Sequence, residues 1–253
     1  MNYKQSLFCF FFVFLLTGCS EPQQDNKITI QFWADNQQLG CKDNERLANS
    51  KFKIEQLGLY LSNLTLLNSG TTMPLQLAKN PWQTEAVALM YLSSDCQQSH
   101  NQTLTFDTDF DKKLPQTLTF NVGVPFELNH QNPLSQASPL NLPSMFWAWQ
   151  NGHKFLRLDL ITTDKPFSFH LGSVGCASSS RVRAPESPCA EPNFFSFKLD
   201  KQQQGEVLKV NLDKLLDGID VGPENSCLFH GEQEPACLLL IENLRTNQVF
   251  EWL

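Results

Sequence analysis

Hydrophobic positions in this chain recur mainly at a spacing of two. Ile28, Ile30 and Phe32 alternate with Thr29, Gln31 and Trp33, which predicts a half-buried strand. Phe52 to Leu67 carries Phe52-Ile54 and then Leu57-Leu59-Leu61, with Gly58 marking a bulge where the alternation shifts. Further strands are expected over Pro74 to Leu77, Glu85 to Leu92, Thr103 to Phe106, Gln116 to Val124, Pro166 to Leu171, Phe194 to Leu199 and Val207 to Leu212. Leu212 to Leu216 reads as a short helix stopped by Gly218. Ala236 to Leu244 fits either a helix or a buried strand, and Val249 to Leu253 closes a sheet edge. Many short strands separated by turns predict an all-β fold, an antiparallel β-sandwich with long disulfide-stapled loops and at most short helices.

Two stretches depart from that rhythm. Pro125 to Pro143 contains four prolines, which forbid a central strand or a regular helix, so a long ordered loop is expected. It feeds Met145-Phe-Trp-Ala-Trp-Gln-Asn-Gly-His-Lys-Phe-Leu-Arg-Leu-Asp-Leu160, where Asn151-Gly152 lies between two strand-forming runs. That dipeptide predicts a two-residue type I′ hairpin. Gln150 would pair with His153, Trp149 with Lys154, Trp147 with Leu156 and Met145 with Leu158, setting Trp147 and Trp149 side by side on an apolar face. An aromatic stripe at strand spacing is ordinarily core.

The first residues change the picture. Lys4 precedes an apolar run from Leu7 to Leu16, too short to span a bilayer, which ends in Leu16-Thr17-Gly18-Cys19. This resembles a bacterial lipoprotein signal: residues 1–18 are removed, Cys19 is acylated, and residues 19–27 tether a single domain over 28–253. Ser20 fits outer-membrane sorting, with the domain facing the periplasm. Net charge is −7, and loss of Lys4 with the signal makes it one unit more negative. An acidic chain without a basic run is a poor nucleic-acid binder.

Six cysteines remain after processing: Cys41, Cys96, Cys176, Cys189, Cys227 and Cys237. An even number in an exported chain reads as disulfides. Proximity favours Cys176 with Cys189 and Cys227 with Cys237, leaving Cys41 for Cys96. A structural zinc site is the competing reading, but no Cys-x-x-Cys occurs.

Familiar catalytic motifs are missing: there is no Gly-x-Ser-x-Gly, no His-Glu-x-x-His and no phosphate-binding glycine loop. Asp107-Thr-Asp-Phe-Asp111 opens like a calcium loop, but Lys112 stands at the glycine position and Leu118 at the final glutamate. Of five histidines, His100, His153 and His230 read as surface or hydrogen-bonded residues. His130 precedes the proline loop, and His170 points away from Phe167, Phe169 and Leu171 of its own strand. Imidazoles on separate elements suit copper.

Tyr60-Leu-Ser-Asn-Leu, Val124-Pro-Phe-Glu-Leu-Asn-His130, Pro139-Leu-Asn-Leu-Pro-Ser-Met-Phe-Trp-Ala-Trp149, Lys154-Phe-Leu-Arg-Leu-Asp159 and Phe169-His-Leu-Gly-Ser-Val-Gly-Cys176 together resemble the MbnP-like family, and within it the four-cysteine "metallo-mystery pair" subgroup. The likeness runs from about Ile28 to about Cys237. It implies a periplasm-facing copper-binding β-sandwich paired with a diheme, MauG-type peroxidase that oxidises a tryptophan to kynurenine. The new aromatic amine then joins two histidines at copper. Carried over, the ligands are His130 and His170 and the modified residue is Trp147 or Trp149, Trp147 suiting a buried site and Trp149 suiting electron loss to a docked heme. The protein is then a substrate of its partner and not itself an enzyme. The reading from another class is a metal-free surface lipoprotein that binds a glycan or protein through exposed aromatics.

Overall fold

A computed structural model describes residues 26–40, 52–95, 100–111, 116–162, 165–200, 207–229 and 234–253. The signal and tether with Cys19, and also Cys41, Cys96 and His230, lie outside the described residues.

The chain folds as a mostly β, sandwich-like structure. One sheet orders β14 (Phe250–Trp252), β13 (Val207–Asn211), β1 (Lys27–Ala34) and β2 (Gln37–Leu39), with β6 (Thr103–Thr105) also on β1. The β1–β13 pair is parallel, a departure from the all-antiparallel expectation. The other sheet orders β11 (Lys165–Leu171), β10 (Leu156–Thr162), β3 (Lys53–Asn68), β7 (Thr117–Val122) and β12 (Phe195–Asp200). Two further strands, β4 (Thr71–Pro74) and β5 (Val87–Ser93), pair with β3, which is thus bonded to four strands. Period-two patterning explains the layers: Ile28, Ile30 and Phe32 of β1 and Leu57, Leu59 and Leu61 of β3 are all buried. The sheets meet where Phe250 packs edge-on against Phe120 and Phe197, at centroid distances of 5.2 and 4.6 Å.

Ala236 to Leu244 resolves as helix. Pro235 sits at the first turn of α3 (Pro235–Thr246), and Cys237, Leu240 and Leu244 are buried at helical spacing. Asn243 donates from Nδ2 to Leu215 O (3.0 Å) and Asp217 O (2.7 Å), docking α3 on the short helix α2 (Leu212–Leu215). Cys176–Cys189 and Cys227–Cys237 are bonded as proximity favours. No helix among the described residues is long and apolar enough to cross a membrane.

Gly58 is not a bulge. The β3–β10 register slips at Asp159/Leu160, where Gln56 and Ile54 are the successive partners and Glu55 is the extra residue. Gly58 instead admits Met145, whose sulfur occupies the space a Cβ would need. This close approach shows what the proline-rich segment does. Both faces of β3 are buried through its middle, Leu57 to Ser62, and the second face is covered by residues 125–155. The segment opens with a single helical turn, α1 (Phe126–Asn129), and ends in a 3₁₀ turn, Pro143–Met145. It is pinned by Tyr60, whose buried hydroxyl donates to Pro139 O at 2.9 Å.

Removing that hydroxyl leaves the Pro139 carbonyl with only its longer bond from Leu142 N, at 3.3 Å. Tyr60→Phe is expected to lower stability by about 1–2 kcal/mol, read as a reduced urea midpoint with unchanged slope.

Candidate metal centre

The Trp stretch forms a hairpin, but not the expected one. Strands β8 (Phe146–Ala148) and β9 (Gly152–His153) pair Phe146 with His153 and Ala148 with Gly152. Asn151 N donates to Ala148 O at 3.1 Å, and Gly152 has φ +75° while Asn151 is not left-handed. The loop is therefore Trp149-Gln150-Asn151, a turn closed by a glycine bulge. A type I′ turn needs positive φ at both central positions, and here Asn129 is packed against the Gly152 backbone and leaves room only for glycine. The shift moves every expected pair. Phe146, not Gln150, faces His153, with ring centroids 5.0 Å apart. Leu156 pairs with Leu59 and Leu171 in the large sheet, so Trp147 and Leu156 do not share a face.

The two tryptophans consequently differ. Trp147 packs against the core with its ring on the Gly172 backbone, and it lines an open cleft of about 500 Å³ that also touches Gly175, Cys176, Arg181 and Phe229. Gly172 follows His170 by two residues, just past the end of β11 at Leu171, a chain reach of at most roughly 7 Å. Trp149 contributes its backbone carbonyl, which accepts from His130 Nδ1 at 3.1 Å.

His130 is buried beside the Cys176–Cys189 disulfide, with Nε2 3.8 Å from Cys189 Sγ and 3.2 Å from Asn129 Nδ2. Its Nδ1–H is committed to Trp149 O, so Nε2 carries the lone pair. His170 does point away from the apolar set of its strand, as Phe167, Phe169 and Leu171 are buried. Its Nε2 donates to Asp159 Oδ1 at 2.7 Å, leaving Nδ1 as the basic nitrogen. Its backbone is clamped as well: His170 N donates to Cys227 O (2.8 Å) and Cys227 N to Ser168 O (2.7 Å). Ser168 and Arg157 also bond Asp159, at 2.7 and 2.6 Å. Burial opposes ionisation of Asp159, but the bonds from His170 and Ser168 and the charge of Arg157 outweigh it and hold the carboxyl below the usual range. Burial and the nearby Arg157 push Lys154 down to about 8.

His153 has a carbonyl at each nitrogen, Leu140 O 2.8 Å from Nε2 and Asn129 O 3.1 Å from Nδ1, and its ring is fully buried. It is a structural histidine. Sequence reasoning missed Asn129, Asp159 and Gly172. Asn129 accepts His153 N at 2.7 Å through Oδ1 and faces His130 and Ser173 through Nδ2. The legible signal was alternation: Asp159 belongs to the strand face opposite Leu158 and Leu160, the face that pairs with His170.

His130, Cys176 and Cys189 also lie together, their ligand atoms within 4.8 Å of one another, but the sulfurs are bonded to each other and offer no thiolate. What the arrangement presents is a pair of neutral imidazoles, each with one nitrogen anchored on oxygen, in a layer with a partly buried tryptophan.

This defines a class: a β-sandwich whose proline-rich segment overlays one sheet with histidine, tryptophan and a disulfide loop. The chain matches the MbnP family over residues 23–229 and belongs to it. Among solved structures it is similar to MbnP from Methylosinus trichosporium, at TM-score 0.70 and 21% identity over 86% of each chain, a likeness of fold. No curated protein matches the sequence.

Burial lowers the pKa of His130, His153 and His170 in the folded chain. The unfolded chain therefore takes up protons first, near pH ~6.5, so their contribution is complete above that value and is lost as pH falls through it. The urea midpoint is expected to drop between pH 7.5 and 5.5; an unchanged midpoint would show that folding leaves the rings unshifted, and a rising one that it favours their protonated form.

Proposed function

We propose that this MbnP-family protein handles copper, holding it through His130, His170 and a kynurenine formed from Trp147 by a diheme, MauG-type peroxidase partner. Acylated Cys19 would anchor it to the outer membrane, facing the periplasm. The observation that carries the reading is that His130 Nδ1 and His170 Nε2 are each committed to an oxygen acceptor, which leaves Nε2 and Nδ1 as neutral donors. This is the donor chemistry copper takes, and a carboxylate behind a ligating imidazole raises its basicity. Bound copper would supply a nitrogen-seeking, redox-active cation.

Trp147 is the better of the two tryptophans. Its ring lies on Gly172, two residues past His170 in the chain, whereas Trp149 meets His130 through its carbonyl. An intact indole N–H only donates and has no lone pair for a metal. Opening the ring gains one oxygen, loses one carbon and exposes an aromatic amine where packing has already fixed the geometry. The open cleft beside Trp147 gives a docked oxidant access to that ring. The protein would be the substrate of that oxidation and would not turn over.

Peptide mass spectrometry over Met145 to Gln150, with copper assayed on the same samples, tests this. The expected result is a partner-dependent gain of one oxygen and loss of one carbon on Trp147, with bound copper; intact tryptophans without copper beside an active partner sink it, and leave the cleft as a binding face. Asp159→Asn is expected to weaken copper binding about 10–100-fold, as loss of a carboxylate behind a ligating histidine does.

A further inference from the structure

The two described disulfides have different surroundings. Cys227 is fully buried and bonded through its backbone to β11 on both sides. Cys176 and Cys189 are only 5% and 6% exposed, but Cys176 lines the open cleft beside Trp147, which is the side from which a small reductant would approach. Behind the pair sits His130, with Nε2 3.8 Å from Cys189 Sγ and all three ligand atoms within 4.8 Å of one another. A tetrahedral site with metal–sulfur bonds of about 2.3 Å and metal–nitrogen bonds of about 2.0 Å has ligand–ligand edges of roughly 3.5–3.8 Å. The nitrogen–sulfur edge to Cys189 is already about that length; the sulfurs must part, and Cys176 Sγ starts within 4.8 Å of the imidazole nitrogen.

The geometry points to a second, redox-opened metal site: reduction of Cys176–Cys189 by a dithiol creates a His130–Cys176–Cys189 ligand set for a soft or borderline cation of the copper(I) or zinc(II) class. The step balances. A reductant thiolate attacks Cys176 Sγ and expels the Cys189 sulfur. The reductant's second thiol then resolves the mixed disulfide and leaves as its own disulfide. Two electrons and two protons are delivered to the cysteine pair, and the cation displaces the thiol protons on binding. His130 Nε2 carries the lone pair because Trp149 O fixes the Nδ1–H tautomer, and a bound cation would take the place of the hydrogen bond that Asn129 Nδ2 donates to it. Thiolates confer a preference that the imidazole pair lacks, toward soft ions.

This inference goes beyond the copper reading but shares His130 with it, so the test removes the other site. Mature chain carrying His170→Ala, made without any peroxidase partner, is reduced with dithiothreitol, desalted anaerobically and titrated with cobalt(II). The expected result is one equivalent of cobalt showing sulfur-to-cobalt charge transfer in the near ultraviolet, absent from the oxidised protein. Adding Cys176→Ser and Cys189→Ser should abolish the band although the other cysteines are still reduced. Adding His130→Ala should weaken binding at least about tenfold, as loss of one ligand does, with far-ultraviolet circular dichroism confirming the fold. No band on reduction, an unchanged band in the double serine variant, or undiminished affinity without His130 each overturns the proposal. None of these outcomes bears on whether the partner modifies Trp147.

Discussion

The functional half of this molecule depends on one buried amide. Asn129 ends the single turn of α1 in a layer with almost no water access, yet its side chain meets the backbone N–H of His153, His130 Nε2 and Ser173 Oγ. A buried polar group is tolerated only when its partners are present, and a network of this kind admits few alternative arrangements. Because Asn129 also packs on the Gly152 backbone, it selects the hairpin's glycine bulge. The bulge in turn sets which residues face the core and which face the cleft. One side chain thereby links the proline segment, the Trp hairpin and the disulfide loop.

The layer those elements form exists because β3 is unusual. A strand in a sandwich normally exposes one face, but β3 is buried on both through its middle, and the residues on its second face are the small or hydrogen-bonding ones: Gly58, Tyr60 and Ser62. Gly58 lets Met145 descend onto the strand, Tyr60 ties down Pro139, and Ser62 donates to Gly123 O at 2.9 Å. The same face continues across β10 and β11 as Arg157, Asp159, Ser168 and His170. Polar chemistry is concentrated where the overlay meets the sheet, and the two apolar inner faces carry stability without contributing to it.

Much of this was legible in the sequence, and the rest failed for identifiable reasons. Alternation located most of the strands and the outward direction of His170, since a period of two is a local property of extended backbone. It placed a strand over Pro74 to Leu77, where β4 instead ends at Pro74, and it did not find the short β2. Proximity paired Cys176 with Cys189 and Cys227 with Cys237. Asn151-Gly152 correctly signalled a hairpin, but its register was decided by Asn129, more than twenty residues earlier, and no local pattern reports that contact. Gly58 was read as a bulge because a glycine in a strand marks either a bulge or a close approach, and sequence does not separate the two. The parallel pairing of β1 with β13 was likewise invisible, since it joins opposite ends of the chain.

The division of labour between the two tryptophans follows from the register. Had Asn151-Gly152 closed a two-residue turn, Trp147 and Trp149 would project together and be equivalent to a docking partner. The extra loop residue instead moves Trp149 into the turn, where its carbonyl fixes the His130 tautomer, and leaves Trp147 on β8 with its ring against Gly172. One residue thus orients a histidine through its backbone while the other offers its ring to the cleft. A third residue of the turn completes the assembly: Gln150 donates from Nε2 to Cys176 O at 2.8 Å and receives support from Arg181 O through its own N–H. The hairpin tip and the disulfide loop are therefore tied to each other by two hydrogen bonds from one residue. A change in the oxidation state of the cysteines would reach both His130, beside Cys189, and Trp147, beside Cys176 in the cleft, so the proposed metal sites would be coupled through the disulfide loop.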